Sequence, residues 1–169
     1  MAELIKKSAC EIVALLKKGD ISIADTLDAL EARIEQVDSE INALPTRCFE
    51  RARAAAHEDG RSDTVLAGIP VAIKDLTDVA GVRTTYGSML HENHVPGQSA
   101  IVVERIEANG GIVYAKSNTP EFGAGGNTFN DVFGATRNPY DLTRSAGGSS
   151  GGAAAALASG TACLAQGSD

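Results

Sequence analysis

Ala146-Gly147-Gly148-Ser149-Ser150-Gly151-Gly152 runs directly into Ala153-Ala154-Ala155-Ala156-Leu157. Glycine tolerates backbone conformations closed to other residues, and alanine has the highest helix propensity. The pattern therefore predicts a tight bend that delivers two adjacent hydroxyls to a helix start. The first turn of a helix leaves N–H groups unpaired, and with the helix dipole they can hold an anion or a developing oxyanion. By composition alone a Gly/Ser run also fits a flexible linker, which is the commoner case. The surroundings reverse that preference: a linker joins polar boundaries, whereas this run leads into Ala153 to Ala158 and then Ala162-Cys163-Leu164-Ala165, which read as buried structure.

Upstream, Ala67-Gly68-Ile69-Pro70-Val71-Ala72-Ile73-Lys74-Asp75 predicts a short buried strand beginning after Pro70. Ser99 to Asn109 predicts a helix closing on Gly110-Gly111, and Ile112-Val113-Tyr114-Ala115-Lys116 the next strand, an order that implies α/β layering. Nearer the amino terminus, Ile5, Ala9, Ile12 and Leu16 form an amphipathic stripe ending at Gly19. Ser22 and Asp25 then resemble a capping box for a second helix carrying Ile23, Leu27, Leu30, Ile34 and Val37, expected to hairpin on the first. Arg47 to Glu58 predicts a third helix ending near Asp59-Gly60. Residues 1–60 thus read as a helical region, and 61–169 as the amino-terminal part of an α/β core. Thr119 to Thr143, rich in Gly, Asn, Asp, Phe and Pro, is too long for an idle connection and is expected to be functional.

With 169 residues and 43% hydrophobic content the chain can bury a core. Gly167-Ser168-Asp169 follows an apolar segment with no helix stop or closing strand, so the chain is expected to be cut inside a domain. The net charge of -7 comes without a basic cluster, which argues against direct contact with nucleic acid. Cys10, Cys48 and Cys163 are odd in number and widely spaced, which suggests a reduced compartment. With neither signal peptide nor membrane span in the pattern, the expected location is cytoplasmic. His57, His91 and His94 read as surface residues without a metal-ligand set, and neither GxxxxGK[ST] nor a suitably placed GxGxxG occurs around residues 147–152.

A lysine at a strand end usually points to solvent. If the end of the Val71–Lys74 run meets the glycine loop, however, burial would depress the Lys74 pKa and leave a neutral amine able to take a proton from Ser149. No histidine is needed for such a base.

Four blocks carry a resemblance. Gly68-Ile69-Pro70-Val71-Ala72-Ile73-Lys74-Asp75, Lys116-Ser117-Asn118-Thr119-Pro120-Glu121-Phe122, Thr136-Arg137-Asn138-Pro139-Tyr140-Asp141 and Gly147-Gly148-Ser149-Ser150-Gly151-Gly152 resemble the amidase signature family in order and spacing. The likeness implies an α/β fold with a mixed sheet covered by helices, incomplete in this chain. It also implies hydrolysis of carbon–nitrogen bonds in linear amides by a Ser-cisSer-Lys triad. Lys74 matches the family's lysine, and Ser149 its bridging serine, preceded by an expected cis peptide. Ser150 matches a neighbouring hydroxyl that helps hold the lysine, and Gly123, Ala124, Gly125 and Gly126 a loop lining the substrate site. The acylated serine of the family would follow a few residues past Asp169, so the chain alone is expected to be inactive. No metal or organic cofactor is implied. The partner is a small-molecule amide, with a homo-oligomer left open. Two alternatives stand beside this reading. One is the glutaminase subunit of a tRNA-dependent amidotransferase, although residues 123–130 look closer to free-standing amidases. The other is a non-catalytic segment that binds a partner or a small amide.

Overall fold

Strand β2 (Pro70–Lys74) is buried at every position, and so is β3 (Ile112–Ser117). Strands without a polar face require cover on both sides, and helices supply it. These features come from a computed structural model that describes residues 3–57 and 61–168. The sheet has the order β1 (Thr46–Arg47), β3, β2, β8 (Ala165–Gln166). β1 runs antiparallel to β3, while β3 and β8 both run parallel to β2, so the sheet is mixed, as the resemblance implied.

Alternation along β2 sorts the helices. Val71 and Ile73 face one apolar layer, shared with Ile12 and Leu16 of α1 (Ala9–Lys18) and Val103 of α4 (Ile101–Ala108). Ala72 faces the other, shared with Leu27, Leu30 and Ile34 of α2 (Ile23–Ile41), Phe49 and Ala52 of α3 (Phe49–Ala56), and Ala155 and Ala156 of α5 (Gly151–Ser159). The expected hairpin between the first two helices is therefore not formed. Their apolar stripes serve opposite faces of the sheet, because burying both faces of β2 stabilises more than pairing the helices with each other would.

Helix boundaries follow their caps. Ser8 accepts the Glu11 N–H and forms a capping box, so α1 starts at Ala9, and Ile5 falls in a preceding 3-10 turn rather than in the helix. Ser22 and Asp25 close the same box on α2, with Asp in the usual Glu position. Gly19 ends α1 in the left-handed region at φ 72°, where a Cβ would be unfavourable. The third helix is shorter than its predicted span, because Arg47 pairs with Ala115 in the sheet; the Asp59-Gly60 stop lies outside the described residues.

The reversal between α2 and β1 depends on one buried carboxylate. Asp38 accepts the Ala43 N–H at 2.8 Å and the Leu44 N–H at 3.2 Å, and Arg47 approaches it at 3.5 Å. Asp38→Ala should leave two buried donors without partners and cost about 2 to 4 kcal/mol. Asp38→Asn, which keeps one acceptor oxygen, should cost less. Urea unfolding of the three proteins checks this order, and an alanine variant as stable as the parent would show that Asp38 does not hold the turn.

Candidate active site

Lys74 is the last residue of β2, two positions beyond Ala72, so its side chain leaves the sheet on the α5 side. It is fully buried. Its Nζ lies 2.7 Å from Ser149 Oγ, 3.0 Å from Ser150 Oγ and 2.9 Å from Ser168 Oγ. Among the described residues these hydroxyls are its side-chain partners, and none is a carboxylate. Burial pushes the Lys74 pKa below the usual lysine value of 10.5, because the buried amine loses water that favours its charged form. The sequence-predicted pair of Lys74 with Ser149 and Ser150 is thus brought together.

Sequence reasoning did not single out Ser168. Pairing of Ile73 with Gln166 in the parallel β2–β8 contact carries the chain past the end of β2, and Ser168 follows two residues later. The apolar residues 162–165 ahead of Gly167-Ser168 were the available signal, and a two-residue strand has no periodicity to read.

The glycine loop is built on contacts between backbones. The Gly148–Ser149 peptide is cis, as the resemblance implied. Gly148 N donates to Gly126 O at 2.8 Å, and a Cβ on Gly148 would stand 2.4 Å from Gly125 O. A Cβ on Gly152 would stand 2.2 Å from Asn118 N and 2.5 Å from Asn118 O, at the end of β3. Ser150 occupies the N-cap position of α5, yet its side chain does not cap the helix. Instead its Oγ donates to Ser168 O at 2.9 Å and accepts from Ser168 N at 3.0 Å.

Ala124, Gly125 and Gly126 line an open cavity of about 390 Å³ together with Ser88, Leu90 and Glu121. Gly123 does not line it: it has φ 71° and packs towards Leu76. The Thr119–Thr143 segment and the two residues after it form two short hairpins, β4 (Phe129–Asn130) with β5 (Gly134–Ala135) and β6 (Arg137–Asn138) with β7 (Asp141–Ser145). Buried amides tie it to the end of β3: Asn130 Nδ2 donates to Asn118 Oδ1 at 2.7 Å and to Thr119 O at 2.8 Å.

A second lysine lies near the same strand ends. Lys116 pairs with Asp75 at 3.1 Å, both fully buried, and donates to Thr84 Oγ1 at 2.6 Å and Thr77 O at 2.9 Å. Asp75 also accepts from Thr85 N and Oγ1. Burial lowers the Lys116 pKa, and the adjacent Asp75 opposes that shift. This pair, too, was not anticipated from the sequence.

His57 is exposed, as expected. His91 and His94 are instead half-buried, because both rings pack on Tyr86, with centroids 5.0 and 5.8 Å away. The Tyr86 hydroxyl donates to Asp78 Oδ1 at 2.6 Å, and burial together with that carboxylate pushes its pKa to about 12. Among the described residues no three His, Cys, Asp or Glu side chains come together as a metal-ligand set, and no helix is long and apolar enough to cross a membrane.

The core is thus a mixed sheet with a buried lysine at the carboxyl end of its inner strand β2, against a glycine-framed serine pair. Residues 25–169 match the family model for Amidase, and the chain belongs to the amidase signature family. It is 41% identical, over 99% of its length, to the glutamyl-tRNA(Gln) amidotransferase A subunit of Thermoanaerobacter pseudethanolicus, of which it covers 35%. Among solved structures it resembles a chain of a vestigial protein complex connected with the evolutionary origins of an s-triazine catabolic enzyme. That match has 38% identity and a TM-score of 0.89 over 96% of this chain and 37% of the other. It also resembles 6-aminohexanoate cyclic dimer hydrolase in complex with substrate, with 34% identity and a TM-score of 0.85 over 95% of this chain and 33% of that one. The chain therefore spans about a third of the length of these relatives.

Gly152→Ala places a methyl group against backbone that cannot swing away, and should cost about 3 kcal/mol or more. Gly147→Ala, where a Cβ meets nothing within 4 Å, should change little. Thermal midpoints of the two variants test the contrast, and equal midpoints would contradict the close contact between α5 and β3.

Proposed function

We propose that this chain carries the proton-handling part of a cytoplasmic amide hydrolase, with Lys74 as general base and Ser149 as the hydroxyl that relays the proton. The observation that carries the reading is the 2.7 Å approach of Ser149 Oγ to a fully buried amine that has no carboxylate partner among the described residues. A lysine so placed favours its neutral form, which has a lone pair for a proton. In this reading Ser149 passes its proton to Lys74 while accepting one from an attacking serine, which the family pattern locates past Asp169. The attacking oxygen bonds to the amide carbon, and the proton returns through Ser149 to the nitrogen as the carbon–nitrogen bond breaks. Water then attacks the acyl group along the same proton path, releasing the acid and restoring the serine.

The substrate is a small linear amide, received in the cavity beside Ala124, Gly125 and Gly126, where the absence of large side chains lets substrate approach backbone donors. Likeness to an enzyme described as a cyclic dimer hydrolase supports hydrolysis as the reaction class. A second reading is favoured by the 41% identity to the A subunit of an amidotransferase: the same site would then release ammonia from glutamine for a partner protein. Glutamine hydrolysis that requires such a partner, with no turnover of simple amides, would select that reading over the first.

In the complete enzyme Lys74→Ala and Lys74→Arg should each lower kcat by about a thousandfold or more with a smaller effect on KM, because a guanidinium stays protonated. Ser149→Ala should cost more than Ser150→Ala. Steady-state kinetics on a panel of primary amides checks both statements, and an active arginine variant would remove Lys74 as the base.

The pH dependence follows from the lowered Lys74 pKa. The neutral amine is the active form, so kcat/KM should rise with pH through this group and level off above it. The midpoint should lie below the ordinary lysine value of 10.5. A rise centred at or above that value would contradict a desolvated base.

A further inference from the structure

Three hydroxyls around one amine pose a hydrogen-bond count that has few solutions. A hydroxyl has one proton and two lone pairs. A neutral lysine amine has two N–H groups and one lone pair. The Ser150 proton is committed to Ser168 O at 2.9 Å, and one Ser150 lone pair is taken by Ser168 N at 3.0 Å. Ser150 can therefore meet Lys74 only as an acceptor, at 3.0 Å. One N–H and the lone pair of Lys74 remain, and two hydroxyls, Ser149 and Ser168, remain to receive them. Among the described residues neither of these hydroxyls has another side-chain or backbone partner.

We propose that Ser168 is a positioning residue: its hydroxyl accepts the second N–H of neutral Lys74, so that the amine lone pair faces Ser149. This rests on the reading of Lys74 as the base. With Ser150 and Ser168 each taking an N–H, the sole remaining direction for the lone pair is Ser149, the nearest of the three oxygens. The Ser168 hydroxyl is well placed for this task, because its backbone is held twice. β8 pairs with β2 through Ile73 and Gln166, and the Ser168 N–H and C=O both bond to Ser150 Oγ. Neither constraint involves the Ser168 side chain. Ser168→Ala therefore removes the acceptor on Lys74 and leaves the clamp on Ser150 in place.

Two effects separate this role from a structural one. With the acceptor gone, the amine can turn an N–H towards Ser149, so kcat should fall about 10- to 100-fold through misorientation, with KM nearly unchanged. The protonated amine also loses one of three acceptors, and hydrogen bonds to a charged donor are the stronger ones, so the acid limb of kcat/KM should move to lower pH. Ser168→Thr, which keeps the hydroxyl, should restore both.

The experiment measures kcat, KM and pH profiles for the complete enzyme and its Ser168→Ala, Ser168→Thr and Lys74→Ala variants. Alongside them, the Lys74 titration is followed by NMR in protein carrying lysine labelled with carbon-13 at Cε. The proposal expects a lower Lys74 pKa in Ser168→Ala and the parent value in Ser168→Thr. An inactive Lys74→Ala with an unchanged titration and unchanged kcat in Ser168→Ala would overturn the role of Ser168 while leaving Lys74 as base. Full activity in Lys74→Ala would overturn the base itself, and the role of Ser168 with it.

Discussion

The structure depends on how a buried lysine amine is satisfied at the end of a strand. β2 is buried along its whole length, so the residue that ends it cannot reach water, and the Lys74 amine must find its partners inside the protein. Two chain segments converge to provide them. The loop before α5 brings Ser149 and Ser150, and the chain leaving β8 brings Ser168. Because β8 reaches this position only by pairing with β2, the edge of the sheet and the polar cluster are parts of one arrangement. The cluster sits at the carboxyl end of a strand flanked by parallel neighbours on both sides, where open α/β sheets commonly hold their ligand sites.

Two buried lysines at these strand ends show how neighbours decide the chemistry. Lys116 has Asp75 at 3.1 Å, and that carboxylate opposes the effect of burial on its pKa. Its bonds to Thr77 and Thr84, with those of Asp75 to Thr85, tie the turn after β2 to the sheet. Lys74 has hydroxyls instead among the described residues, and burial lowers its pKa. One lysine sits in a buried ion pair, and the other meets only hydroxyls among the described residues.

The glycines around the serine pair are accounted for by space as much as by backbone angle. Gly148 and Gly152 have ordinary φ values, but their Cα atoms lie against the backbone of residues 125–127 and Asn118. These contacts bring the loop that lines the cavity, the end of β3 and the start of α5 together. A side chain at Gly148 would push the loop lining the cavity away from the serines, and one at Gly152 would push the start of α5 away from the end of β3.

Local signals in the sequence determined much of this protein. The Ser22 capping box, the Gly19 stop, the apolar runs of β2 and β3 and the alanine-rich α5 each rest on interactions within a few residues. The order of four motif blocks points to the family and groups Lys74 with Ser149 and Ser150. The tertiary structure alone decided which face of the sheet each helix covers, since the stripes of α1 and α2 look alike in sequence. It alone joined Lys116 to Asp75 across 41 positions, and Ser168 to Lys74 across 94. Residues so far apart carry no periodicity or spacing that links them. What brings them together is parallel strand pairing, a long-range hydrogen-bond pattern that forms only when the whole sheet does.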